Sequence, residues 1–218
     1  MASRFRLLAA IITLVALSSV LLWAGKEFVP PRTANASTYA LKDTHPNEKV
    51  TAAIELYNAA PKTDIFITHY SAEEILPVLL VITNDGDQPI TLNDMHPQLV
   101  TAERAKLEAL DIEDVFRRVA HIQGSSNPRT VGPITLPGGN KNKKAQQQLD
   151  EITRAHFAAE AVEPHTTRSG FLFFDVLNVP QPVAGANIYL TGVRDGRGNE
   201  LMYFEIPLIA AKAASPGL

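Results

Sequence analysis

The chain has no cysteine among its 218 residues, and other residue types that often carry chemistry are scarce. The absence of cysteine excludes disulfide bonds, thiol catalysis, cysteine-based zinc or iron–sulfur sites and the cysteine of a lipoprotein anchor. Only three methionines are present, which is too few for a methionine-rich copper site. A formal net charge of −3 provides no basic surface for nucleic acid. We therefore expect no cofactor and no nucleic-acid partner.

Motifs for nucleophilic catalysis and phosphate binding are also missing. The G-x-S-x-G elbow does not occur, and Ser169 before Gly170 is the pattern of a turn rather than of a nucleophile. Residues 138–141 are glycine-rich and basic but lack the spacing of a P-loop. Asp175 interrupts an apolar run, either as a buried hydrogen-bonded carboxylate or as the point where a strand reaches solvent. The sequence thus predicts no catalytic residue, and we expect the protein not to be an enzyme.

The six histidines are spread along the chain, and none pairs with another at the spacing typical of metal ligands. His156 and Glu160 stand four apart on a predicted helix, where they could bind a metal together. His156 also lies on the apolar stripe of that helix, where a buried imidazole needs no metal. No metal ligand is therefore assigned. The alternative function is a periplasmic metal-binding protein that uses His156, His165 or His96.

Residues 1–25 have the pattern of a signal peptide or a membrane anchor. Arg4 and Arg6 precede an uncharged apolar run over residues 7–23. A helix of that length spans roughly 25 Å, slightly less than a hydrocarbon core of ~30 Å. The best small-residue cleavage triplet, at residues 34–36, lies far beyond the run. A cleaved signal and a retained anchor both stay open, and both predict an exported protein that is periplasmic or anchored in the inner membrane.

The rest of the chain predicts one domain that is mainly β. Residues 26–49 predict a linker because they lack apolar periodicity, and residues 209–218 predict a flexible tail. Between them, residues 50–208 contain at least six strands bounded by turn signals. Two of these strands are apolar on both faces, which is typical of strands with a layer on each side. Their ranges are 76–82 and 171–176, and a hairpin around residues 195–199 follows them.

A helical insertion at about 105–160 interrupts the strands. Ile112, Val115, Phe116 and Val119 recur at helical spacing, and Asp111 can cap the first turn. A second helix is predicted from about residue 143 to 159. The glycine-, serine- and proline-containing segment 123–140 between them predicts an exposed loop that can present a contact surface.

Two motifs resemble those of exported immunoglobulin-like (telokin-like) bacterial domains. Residues 84–90, NDGDQPI, follow an apolar strand and resemble the V-x-N-x-x-x-x-P-I hairpin of that family. Residues 163–174 are similar to its P-x-x-x-x-x-G-x-x-x-F strand. The resemblance covers residues 50–105 and 160–208, implies an immunoglobulin-like β-sandwich, and implies no catalytic residues. The insertion departs from the family pattern. We therefore expect a non-enzymatic exported binding or scaffolding module of the cell envelope, whose partner is another envelope protein and whose N-terminal helix, if uncleaved, contacts the membrane.

Overall fold

A computed structural model describes residues 27–121, 140–201 and 203–208. The predicted signal or anchor at 1–25, most of the predicted loop at 123–140 and the predicted tail at 209–218 lie outside these residues. Within the described ranges, no helix is long and apolar enough to cross a bilayer.

The described residues form ten strands and two α-helices. The strands are β1 Leu41–His45, β2 Val50–Leu56, β3 Ile75–Asn84, β4 Ile90–Thr91, β5 His96–Val100, β6 Lys106–Glu108, β7 Ala161–Val162, β8 Thr166–Asp175, β9 Asn187–Thr191 and β10 Phe204–Pro207, and the helices are α1 Ile112–Val119 and α2 Asn140–Ala155. The first sheet has the order β1-β2-β3-β8 and the second sheet β10-β9-β5-β6, while β4 and β7 form a small third sheet. All pairs are antiparallel.

The two large sheets pack face to face, which confirms that the protein is mainly β and sandwich-like. Leu80 on β3 and Leu172 on β8 point from the first sheet into one buried cluster. Leu99, Ile188 and Phe204 enter the same cluster from the second sheet. Successive residues of a strand point to opposite faces of its sheet. The residues that alternate with these buried ones in the second sheet therefore point to its outer face.

The outer face of the first sheet is covered by a third layer. All ten residues of β3 are buried, and Leu79 and Val81 point away from the sandwich into a second cluster. Phe116 of α1 and Ile152 of α2 close that cluster from above. The prediction of a strand that is apolar on both faces at residues 76–82 is therefore confirmed. The helical insertion packs against its second face. This layer leaves the second sheet as the outer layer on the opposite side.

Helix α1 forms as the periodicity predicts. The side chain of Asp111 accepts a hydrogen bond of 2.7 Å from the Asp114 backbone N–H, which satisfies one free donor of the first turn. Helix α2 differs from the prediction because it ends at Ala155 rather than at residue 159. After the helix ends, the backbone N–H of Phe157 donates to the carbonyl of Phe171 at 3.0 Å. The chain here therefore runs along the edge of β8.

The predicted linker at 26–49 is wrong in its second half, where β1 pairs with β2 along five residues. Strand β1 is an edge strand of sequence LKDTH, and its half-buried, half-exposed residues give no apolar alternation. The first half is also part of the fold, since Phe28 is buried and the backbone N–H of Ala36 donates to Thr83 Oγ1 at 2.8 Å. A single aromatic side chain in a polar segment is too little signal to predict packing.

Two residues of the sequence motifs at 84–90 and 163–174 have structural roles here. The amide of Asn84 is buried and donates to the carbonyls of Gln88 at 2.7 Å and Val162 at 3.0 Å, which ties the turn to β7. Gly170 on β8 lies against the Phe157 backbone, and an added Cβ would stand 2.5 Å from the Phe157 Cα. Only glycine permits that approach.

Candidate functional site

The histidines considered as metal ligands lie apart. His156 follows the end of α2, so it and Glu160 do not share a helical face, and this predicted pair is not formed as a helical pair. His156 is half-buried, and desolvation lowers its pKa. His96 is exposed on β5, and His165 is exposed in a turn 3.3 Å from the carboxylate of Asp87. Among the residues the structure describes, no three His, Asp or Glu side chains converge on a metal position.

The remaining sequence candidates have ordinary environments. Ser169 is exposed on β8, its hydroxyl oxygen lies 3.1 Å from that of Thr33, and no hydrogen bond joins it to a histidine within the described part of the chain. Residues 138 and 139 of the glycine-rich segment lie outside the described residues. Residues 140 and 141 begin α2, so this half of the segment is helical rather than a phosphate-binding loop.

Asp175 ends β8 and joins it to α1 through Arg118. Asp175 Oδ1 accepts from Arg118 Nη1 at 2.6 Å, and a second bond joins Oδ2 to Nη2. The backbone N–H of Leu177 also donates to Asp175 at 2.9 Å. The hydrogen bonds from Arg118 lower the pKa of the Asp175 carboxyl. The carboxylate therefore stands where the strand reaches solvent, and its partner is a residue that the sequence pattern did not indicate.

Glu151 on α2 is a buried carboxylate that the sequence pattern missed. It is 1% exposed, and its oxygens accept from the backbone N–H groups of Ile67 and Thr68 and from the Tyr70 hydroxyl at 3.0 Å. Burial and the neighbouring Glu151 carboxylate raise the pKa of Tyr70, so Tyr70 remains a hydrogen donor. This arrangement fixes the 66–70 segment to α2. With three donors already on the carboxylate, it serves as a structural clamp.

The chain enters the fold at Phe28, beside this clamp. The Phe28 ring stacks on Phe66 with centroids 5.6 Å apart and meets Phe171 edge-on at 6.4 Å. Glu27, one residue earlier, pairs with Arg154 on α2. A groove of about 230 Å³ opens here between the entering chain and α2. The N-terminal segment thus joins the molecule on the helical layer, on the opposite side from the second sheet.

The outer face of the second sheet carries a row of polar side chains that crosses all four strands. The register places Glu205 of β10 opposite Tyr189 of β9, Tyr189 opposite Gln98 of β5, and Gln98 opposite Glu108 of β6. Tyr203 lies beside this row and is 47% exposed. We call these five residues the open face. Their side chains are exposed or half-buried, in contrast to the covered face of the first sheet.

Hydrogen bonds hold the open face in a defined arrangement. Glu205 Oε1 accepts from the Tyr189 hydroxyl at 2.6 Å and from Asn187 Nδ2 at 2.7 Å. The bond to Glu205 raises the pKa of Tyr189, so the phenol stays neutral. Glu108 Oε1 accepts from Gln98 Nε2. Each carboxylate therefore bonds to neutral donors through one oxygen, and the structure shows no hydrogen bond on the other oxygen within the described ranges.

Taken together, the fold and its surfaces define a class of protein: a β-sandwich with a helical layer on one side and an open polar and aromatic sheet on the other. No protein-family model matches the chain, and no curated protein matches it. Among solved structures it is similar to MPT63, a secreted protein from Mycobacterium tuberculosis, at 13% identity and a TM-score of 0.32, over 79% of this chain and 95% of MPT63. It is also similar to Northeast Structural Genomics Consortium target SoR45 at 15% identity and a TM-score of 0.30, over 79% and 90% of the two chains.

Proposed function

We propose that the protein is a non-enzymatic binding or scaffolding module of the bacterial cell envelope, exported and held at the membrane by its N-terminal segment. The module is an immunoglobulin-like sandwich that presents its open face to another envelope protein. The observation that carries this proposal is the placement of the chain entry at Phe28 and of the open face on opposite sides of the layered fold. A module attached on the helical side presents the open face away from its attachment.

One feature of the sequence and one of the structure support export and attachment. The apolar run at 7–23 follows two arginines, which is the orientation of an export signal with its positive end in the cytoplasm. The buried Phe28 comes three residues after Gly25, and a chain of three residues reaches at most about 11 Å. If the run stays in the bilayer, the helical layer is held close to the lipid headgroups.

The chemistry of the described residues supports a binding role. The buried carboxylate of Glu151 is occupied by three donors, and Asp175 is paired with Arg118. Both carboxylates are therefore held in contacts that tie segments of the fold together. The alternative of a histidine metal site gains no support, because His96 lies on β5, His156 follows α2, His165 lies in the turn before β8, and no three metal-ligating side chains converge among the described residues.

Crosslinking of the native envelope followed by mass spectrometry tests this proposal. We expect the protein in the membrane fraction, crosslinked to a discrete envelope partner. Purified protein should also show no hydrolase turnover on ester, peptide and glycoside reporter substrates. Recovery of the protein from the cytosol would contradict export, and robust turnover abolished by one substitution would contradict the non-enzymatic role.

A further inference from the structure

We propose that the open face binds a basic, extended segment of another envelope protein, with cationic side chains on Glu205 and Glu108, the intervening chain over Tyr189 and Gln98, and Tyr203 beside the cation on Glu205. This inference rests on the proposed function and names the chemistry of the partner. It follows from four observations on the described residues: the partners of the carboxylates, the charge pattern around them, the exposure of the aromatic rings and the length of the row.

The two carboxylates of the open face have no lysine or arginine partner among the described residues, in contrast to several carboxylates elsewhere in the fold. Asp175 pairs with Arg118, and Asp94 pairs with Arg194. Glu205 and Glu108, by contrast, bond only to neutral amides and a phenol in the part of the chain that the structure describes. A charge-assisted bond to arginine or lysine is about twice as strong as a neutral one. The free carboxylate oxygens are therefore acceptors without their best partner.

A further carboxylate adds negative charge at the β10 end of the row. Asp43 of β1 accepts a hydrogen bond of 2.9 Å from the backbone N–H of Glu205. Among the residues of β5, β6, β9 and β10, Lys106 supplies the one lysine or arginine charge on this face. This charge pattern disfavours an anionic ligand such as a nucleic acid or an acidic lipid and favours a cationic one.

The tyrosines supply a second mode of binding for the same partner. The rings of Tyr189 and Tyr203 have centroids 5.7 Å apart and form a continuous aromatic surface at the β9–β10 side of the face. A lysine or arginine that approaches a tyrosine ring within about 6 Å is attracted to the ring face. Because Tyr203 is about half exposed, its ring is accessible for such a contact.

The length of the row sets the spacing of the cations. Neighbouring strands lie about 4.8 Å apart, so the first and fourth residues of a row across four strands are about 14 Å apart. An extended chain rises about 3.4 Å per residue, so side chains four residues apart lie on the same side at about 13.6 Å. A segment of the pattern Arg-x-x-x-Arg that crosses the strands can therefore reach Glu205 and Glu108 together.

A fluorescent eleven-residue glycine–serine peptide with arginine at positions 4 and 8 is a direct probe. It is titrated with the full-length protein in zwitterionic detergent and followed by anisotropy. Two control peptides carry arginine at positions 4 and 6, or glutamate at positions 4 and 8. We expect the first peptide to bind more tightly than the 4/6 peptide, the glutamate peptide not to bind, and affinity to fall as salt screens the exposed charges.

Variants of the protein locate the binding surface. Glu205→Gln, Glu108→Gln and Tyr203→Ala should each weaken binding by about threefold, the size of one exposed charge or cation–π contact. Lys106→Gln should strengthen it by a similar factor because it removes the competing cation. Asp64→Asn is the matched control, since it removes one exposed carboxylate next to Ile65, which packs against the cluster beneath the helices. Each variant is checked for unchanged thermal unfolding.

The proposal is overturned if the glutamate peptide binds as well as the arginine peptide, or if Asp64→Asn weakens binding as much as Glu205→Gln. It is also overturned if the protein forms a dimer that Tyr203→Ala dissociates, because a second copy is then the occupant. If the arginine peptide does not bind and a native partner is crosslinked to a different surface of the domain, this inference is wrong but the proposed function stands. Failure to find any partner or membrane attachment removes the proposed function itself.

Discussion

At the scale of single residues, Glu151 shows how a polar sequence can hide a buried carboxylate. It lies in the run QQQLDE of α2, where glutamine and acidic residues are typical of a solvent-facing helix. Its burial follows from the 66–70 segment, whose backbone N–H groups approach the helix from 84 residues away in the chain. No local pattern could have indicated this contact, because two of the donors are backbone groups that any sequence supplies and the third, the Tyr70 hydroxyl, is 81 residues away in the chain.

Replacement of Glu151 by alanine should strongly destabilise the fold. The substitution leaves the Ile67 and Thr68 N–H groups and the Tyr70 hydroxyl without their acceptor, and one such buried group costs about 1–3 kcal/mol. We expect a loss of roughly 3 kcal/mol or more in urea unfolding. Exposed Asp150 on the same helix is the control, and Asp150→Ala should change the free energy of unfolding by less than about 0.5 kcal/mol. Equal effects of the two substitutions would contradict the clamp.

Alkaline pH should reduce stability through the buried tyrosines. Desolvation, together with Glu55, raises the pKa of Tyr57 to about 12, and desolvation with Glu151 raises that of Tyr70 further. The unfolded chain loses these protons near pH 10 while the folded chain keeps them, so this stability is complete below pH 10 and falls above it. We expect a decline of about 1 kcal/mol per pH unit for each tyrosine between pH 10 and 12. Tyr70→Phe should make the decline shallower, and an unchanged slope would contradict this assignment.

The Arg118–Asp175 pair should make a smaller, acid-sensitive contribution. Because the hydrogen bonds from Arg118 lower the pKa of Asp175 in the fold, the contribution is present above the unfolded pKa of about 4 and is lost as pH falls through the folded value. Both side chains are about one-third exposed, so solvent screening limits the effect to about 1 kcal/mol. Urea unfolding of Asp175→Asn should therefore differ from the parent at pH 7 and converge with it in strong acid. A difference that persists in acid would point to packing instead.

At the scale of elements, the predictable parts are those whose own residues carry the pattern. Strands β3 and β8 were indicated by apolar residues on both faces, and α1 by its apolar spacing and its aspartate cap. The edge strand β1 was not indicated, because its polar and apolar residues do not alternate and it forms a strand only by pairing with β2. The open face escaped prediction for a related reason: Tyr189 and Gln98 meet only through strand register, which joins β9 to β5 across a long stretch of chain.

The entering segment should contribute to stability through one side chain. Phe28 is 2% exposed among Phe66 and Phe171, whereas the next residue, Val29, is 70% exposed. Phe28→Ala should cost about 3–5 kcal/mol in urea unfolding, the usual range for a buried phenylalanine, and Val29→Ala should cost less than about 0.5 kcal/mol. Similar small effects at both positions would show that the segment is peripheral to the fold.

At the scale of the whole molecule, the position of Phe28 makes a prediction about processing. A cut after Ala36 would remove Phe28, the Glu27–Arg154 pair and the buried hydrogen bond from the Ala36 N–H to Thr83, and Ser37 would become the new N-terminus. A retained anchor preserves all of these contacts. We therefore expect the mature protein from membranes to include Phe28, with its N-terminus upstream of that residue.

Mass spectrometry of N-terminally labelled protein purified from membranes measures that terminus directly. A shortened chain that begins at Ser37 provides the matched comparison, and it should unfold at a lower temperature than the parent because it lacks the Phe28 ring in the aromatic cluster. A mature terminus at Ser37 with full thermal stability would contradict retention. The helical layer would then carry no attachment, and the open face would no longer be directed away from a membrane by the way the chain enters the fold.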